Sequence, residues 1–112
     1  MKRIKFMEEY GCWALWHMDY AIDGEMGNID PHELSISSDL AEKINEWSIS
    51  YDKTLNQEYP PYSGFDDYES AQNFINIGNE LVARLQNELG NNFSVVKEIT
   101  TDADKLVRMQ QT

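Results

Sequence analysis

Residues 2–7 alternate: Ile4 and Phe6 point one way, Arg3, Lys5 and Met7 the other, which predicts a strand. Tyr10-Gly11 reads as a turn. The aromatic-rich stretch from Cys12 to Tyr20 alternates again, with Cys12, Ala14, Trp16 and Met18 on one face and Trp13, Leu15 and His17 on the other. A second strand in a hairpin with the first is expected there. Gly24, Gly27, Asn28 and Pro31 break regular structure across residues 21–37, a predicted loop from which Leu34 and Ile36 plug into the core. The period then changes. Leu40, Ile44, Trp47, Tyr51 and Leu55 recur at three- and four-residue intervals, one stripe of a helix that Ser38 or Asp39 can cap, with Asp39 and Glu42 at capping-box spacing. Tyr59-Pro60-Pro61-Tyr62-Ser63-Gly64 ends that helix. Asp66 and Glu69 repeat the capping spacing before a second helix with an apolar face of Phe74, Ile75, Gly78, Leu81, Val82, Leu85 and Leu89, stopped by Gly90. Phe93 to Ile99 reads as a final strand.

The predicted fold class is α+β: a small antiparallel sheet packed against a two-helix hairpin, in the order strand, strand, helix, helix, strand. A single domain is expected over residues 1–99, followed by a polar C-terminal tail, 100–112, whose Leu106, Val107 and Met109 make a short amphipathic piece. The 112-residue length suits one core, and a hydrophobic fraction of 41% with 12% aromatics is enough to fill it, so general disorder is not expected.

Twenty acidic residues against nine basic ones leave a net charge of −11. Such a chain is repelled by nucleic-acid phosphates and anionic lipid, so neither is an expected partner, and a basic protein surface is its electrostatic complement. The lone Cys12 excludes an internal disulfide. The start MKRIKFMEEYGCW lacks the apolar run of a signal peptide, and no stretch is apolar enough to span a membrane, so a cytoplasmic location is expected.

Most candidate chemistry fails on spacing. His17 and His32 have no second ligand at metal-binding intervals, so no metal is expected. The Asp23–Asp30 stretch superficially suggests a calcium loop, but the sixth and twelfth positions counted from Asp23 are Asn28 and Leu34, where glycine and glutamate are required. Cys12 has no predicted neighbour to lower its pKa and reads as structural. No glycine-rich phosphate loop or nucleophile elbow is present. The chain reads as a non-enzyme without cofactors.

What survives is the placement of charge. Thirteen of the twenty acidic residues, with only Lys43 and Lys53 to offset them, lie between residues 19 and 69. Solubility alone does not require that concentration. The stretch combines carboxylates with backbone breakers and tyrosines, which make large contacts at low entropic cost. Asp19, Asp23, Glu25, Asp30, Glu33, Tyr59, Tyr62, Asp66, Asp67 and Glu69 are therefore the expected partner-binding residues. Trp13 and Trp16 cannot share a strand face, and an exposed one would be a binding anchor. The plainer reading, preferred on the sequence, is that a helix covers one and the loop the other.

A wider resemblance rests on Leu15-Trp16, Leu34-Ser35-Ile36-Ser37, Leu40, Trp47, Tyr51-Asp52, Leu55-Asn56, Pro60, Ser63-Gly64-Phe65, Phe74, Gly78-Asn79-Glu80-Leu81 and Leu89-Gly90. Over roughly residues 15–97 the chain resembles small bacterial immunity proteins found beside polymorphic toxins, including those of contact-dependent growth-inhibition systems. These are framework residues, so they speak to fold more than to a site. The resemblance implies a protein that binds and blocks a cognate toxin C-terminal domain in the cytoplasm, many such toxins being basic nucleases. It transfers no contact residue. A nucleic-acid mimic and an adaptor regulating a host enzyme are the rival readings. Oligomeric state is not legible, a monomer being the default.

Overall fold

Among the described residues, four strands and two α-helices form in the order β1 (Lys2–Phe6), β2 (Leu15–His17), β3 (Asn28–Ile29), α1 (Ser38–Asp52), α2 (Tyr68–Leu89) and β4 (Phe93–Lys97). The structure is a computed structural model that describes residues 2–19 and 27–109. The sheet order is β3-β2-β1-β4. β1 and β2 form the expected hairpin, with Phe6 opposite Leu15 and Ile4 opposite His17. Its second arm is shorter than the alternation suggested, because Tyr10 to Ala14 are taken up by the turn.

Two expectations for the sheet need correction. First, it is mixed rather than antiparallel, since β4 pairs with β1 in parallel. The reason lies in counting reversals. Ser37, at the start of α1, bonds Glu88 near the end of α2, so the helices run antiparallel. Gln86 bonds Phe93 and Val95, whereas Lys97 reaches back to Asn79, so β4 runs antiparallel to α2. The helix pair is a crossover that returns the chain to the edge of β1 in its starting direction. Second, the region expected to be a loop holds β3, paired with β2. Ile29 is buried there, and Leu34 and Ile36 pack against the core as expected.

The helices begin one residue away from the expected caps. Ser37, before Ser38 and Asp39, accepts the Leu40 N–H of α1. Asp67, not Asp66, accepts the Ser70 N–H of α2 at 2.7 Å. α1 also ends at Asp52, short of Leu55. Gly90 closes α2 with a positive φ of 71°.

The core lies between sheet and helices. Ile4, Phe6 and Leu15 meet Leu40, Ile44 and Trp47 of α1 and Phe74, Ile75, Leu81 and Leu85 of α2. Trp47 stacks on Phe74 with centroids 4.3 Å apart, and its indole N–H donates to the Phe74 carbonyl at 2.9 Å. Gly78 lets the helices approach, since a Cβ there would sit 2.9 Å from the Trp47 ring and 2.8 Å from Ile99 Cδ1. Residues after β4 also contribute. Ile99, Ala103 and Leu106 are buried, and Phe65 exchanges backbone hydrogen bonds with Leu106 and Arg108. Gly64 permits that contact, because a Cβ on it would lie 2.5 Å from the Arg108 nitrogen. No helix among the described residues is long and apolar enough to cross a membrane.

Candidate partner-binding surface

The residues nominated from charge form two groups flanking α1. Asp19, Asp30 and Glu33 precede its first residue, whereas Tyr59, Tyr62, Asp66, Asp67 and Glu69 lie beyond its last. The 15 residues of α1 span about 22 Å, so the groups do not converge into one cluster through the helix. Asp23 and Glu25 lie outside the described residues.

Several of these carboxylates have structural partners. Asp19 accepts the Arg3 backbone N–H at 2.7 Å and pairs with its guanidinium at 2.8 Å. The backbone bond first, then the Arg3 side chain, hold its carboxyl below the usual range. Asp30 caps the short 3-10 turn Pro31–Glu33 and lies 3.2 Å from the His32 ring. Asp66 pairs with Arg108 at 3.3 Å. The Ser70 N–H lowers the Asp67 carboxyl, as an N-cap should. Glu33 and Glu69 are exposed. Tyr59 and Tyr62 stack with centroids 4.6 Å apart, leaving Tyr59 53% exposed.

The two N-terminal tryptophans divide. Trp16 is buried at 6% exposure beneath Lys5, whose ammonium lies 5.1 Å from the ring centroid. Lys5 and Trp16 are opposite each other in the β1–β2 register, which brings them together. Trp13 is 44% exposed. Its backbone is nonetheless fixed: Asn28 accepts the Trp13 N–H at 3.0 Å and donates to the carbonyls of Trp13 and Leu15 at 2.9 Å each.

The turn bearing Trp13 is docked onto α1. Tyr10 stacks on Tyr51 at 4.3 Å and bonds the Thr54 hydroxyl at 2.8 Å. Gly11, in the left-handed region at φ 72°, donates its N–H to Asp52 at 3.0 Å. Burial, followed by the neighbouring Tyr10, pushes the Tyr51 phenol up. Burial together with Glu9 and Asp52 also raises the Cys12 thiol, which is half-buried and free.

A cleft of about 370 Å³ lies between this turn and α1, lined by Gly11, Cys12, Trp13, Asn28, Asn45, Ser48, Ile49 and Asp52. Charge patterning missed it, because Asp52 is its single formal charge. Its signal in the sequence is the spacing of Asn45, Ser48, Ile49 and Asp52, which places them on one face of α1 beside the core stripe. A larger groove of about 770 Å³ runs between the helices, with Lys43, Glu46, Glu80 and Arg84 on its walls.

His17 is half-buried in β2 and His32 is exposed. Among the described residues, no three or more histidine, cysteine or acidic side chains gather where they could hold a metal ion. The arrangement offers a rigid exposed tryptophan, stacked tyrosines and unpaired surface carboxylates, which is chemistry for binding a protein. A comparison with curated proteins finds no match. A model of the family described as Serratia CdiI immunity protein-like matches residues 2–97, and the chain belongs to that family of contact-dependent growth-inhibition immunity proteins, which act against a toxin by binding it.

Proposed function

We propose that this chain neutralises the C-terminal domain of its cognate toxin in the cytoplasm, that the toxin domain is a basic nuclease, and that the acidic middle of the chain guides it in. The family is generally non-enzymatic, so the account is one of recognition. The observation that carries it is the concentration of thirteen acidic residues against two basic ones between residues 19 and 69. A nuclease domain that grips phosphates presents the opposite charge, and complementary potentials accelerate docking. The contact residues proposed are Asp19, Asp23, Glu25, Asp30 and Glu33 before α1, and Tyr59, Tyr62, Asp66, Asp67 and Glu69 after it. Of these, Glu33, Glu69 and Tyr59 are exposed and outside the capping and ion-pair contacts described above, which leaves them available to a partner.

Co-expression tests the reading. Cells making the toxin domain encoded beside this gene should stop growing and lose nucleic-acid integrity, and this chain should restore both. Growth arrest that the chain does not relieve would refute it, and arrest with intact DNA and RNA would refute the nuclease assignment alone.

A further inference from the structure

The cleft beneath Trp13 combines features that rarely remain together on a surface without a partner. Asn45 Oδ1 and Ser48 Oγ are shielded from solvent and have no hydrogen-bond partner among the described residues. Ser48 is 9% exposed and lines the cleft wall. Polar atoms buried without partners are costly, so they point to a donor that completes them. Beside them stand two exposed apolar side chains, Trp13 and Ile49. Asn45, Ser48, Ile49 and Asp52 follow one another at helical spacing along α1, so the oxygens and the carboxylate form a row. Asp52 uses one oxygen for Gly11, which leaves the other for a ligand.

Among the described residues nothing supplies the missing donor. None of the cleft-lining residues is basic. Glu8, Glu9 and Asp52 have no salt bridge to a basic side chain among the described residues. The site is therefore a row of acceptors at negative potential with an indole at its rim. An ammonium would satisfy the charge, but its compact point charge does not span a row. A guanidinium offers five donors in a plane and stacks on aromatic faces. A volume of about 370 Å³ is near the lower end for ligand pockets, suited to a single inserted side chain.

We propose that this cleft receives one arginine side chain of the toxin, whose guanidinium donates to the Asp52 carboxylate and, once the Asn45 and Ser48 side chains turn toward it, to their oxygens, while lying against the Trp13 indole. The inference rests on the toxin-binding reading and names its anchor. Trp13 is pre-positioned for the role, since Asn28 fixes its backbone before any partner arrives. A rigid aromatic at the centre of a desolvated contact is the usual form of a binding hot spot.

The test is the affinity of the full chain for the purified toxin domain, measured for wild type, Trp13→Ala and Asp52→Asn against the wild-type toxin and its single arginine-to-alanine variants. Trp13→Ala should weaken binding about 100-fold and Asp52→Asn about 10-fold, with melting temperatures close to wild type. One toxin arginine should couple to Asp52, so that once it is removed Asp52→Asn costs nothing more. Asp52→Asn keeps an oxygen for the Gly11 N–H, so it remains informative should Trp13→Ala fold poorly. Wild-type affinity in both variants, or strict additivity with every toxin arginine, would overturn the cleft assignment while leaving the immunity reading in place. A wild-type chain that does not bind the toxin would overturn both.

Discussion

The two ends of α1 treat polar groups in opposite ways. At the N-terminal end, Glu88 accepts the Ser37 N–H at 2.7 Å and its hydroxyl at 3.1 Å, and Arg84 bridges Glu88 at 3.2 Å and Asp39 at 2.9 Å. Lys43 sits 4.0 Å from Asp39 on the same helix. Asp39 and Glu88 each have partners there, and the network ties α1 to α2. Along the C-terminal half, among the described residues, Asn45 and Ser48 keep unpartnered oxygens, Asp52 has no cation, and Trp13 and Ile49 are exposed. The N-terminal end holds more charge, yet the C-terminal half is the better candidate for contact. Charge density marks where a partner is attracted. In the proposal made above, unsatisfied groups mark where it docks.

The largest effect that sharpens this contrast comes from the two tryptophans that differ most. Trp47 is buried and hydrogen-bonded, so Trp47→Ala should cost about 3–5 kcal/mol in a urea melt. Trp13→Ala should stay within about 0.5 kcal/mol of wild-type stability, as expected of a surface change, while losing about 100-fold in toxin affinity. If Trp13→Ala instead melts early and binds normally, the two tryptophans are alike and the contrast fails.

At the other end of the helix the pattern should invert. Ser37→Ala removes the α1 cap and should cost about 1 kcal/mol of stability with toxin affinity unchanged. Loss of affinity at constant stability would make the N-terminal network an interface rather than a brace. Smaller still, Glu33→Lys with Glu69→Lys should cost at most about 1 kcal/mol, since Glu69 lies in the first turn of α2, and slow association only a few-fold, as rim charges do.

The weakest expected signal is pH. The Ser37 N–H, then the Ser37 hydroxyl and Arg84, hold the Glu88 carboxyl below the usual carboxylate range. A carboxyl with a lowered folded pKa contributes stability that is complete above its unfolded value of about 4.3 and is lost as pH falls through the folded value. Thermal melts from pH 7 to 2 should therefore decline on the acid side, and Glu88→Gln should shallow that decline. An identical acid limb in the variant would remove Glu88 from the brace.

How much of this was legible in the sequence differs by element. The helix stripes, Gly90 and the first hairpin followed from period and turn chemistry. The caps slipped by one residue because Ser37-Ser38-Asp39 and Asp66-Asp67 each offer adjacent capping side chains, and only the backbone path selects among them. The parallel pairing of β4 was hidden because strand direction depends on the helix crossover, a property of the whole chain. β3 escaped notice because it is two residues long and braced by the Asn28 side chain more than by alternation. Leu106 was assigned to a short amphipathic piece of a polar tail, and that it and Ala103 reach the core depends on packing the pattern does not show. Of the candidate site, the exposed tryptophan could be narrowed to Trp13 or Trp16. The cleft could not be read, since an unpaired Ser48 hydroxyl is a fact of packing.

The central claim is that an acidic surface recruits a basic toxin domain. Stopped-flow association of the wild-type chain with that domain, from about 10 mM to 1 M salt, spans Debye lengths from about 30 Å to 3 Å. The account predicts rapid association at low salt that slows steeply as ionic strength rises. An association rate independent of salt, or no association at all, would contradict it.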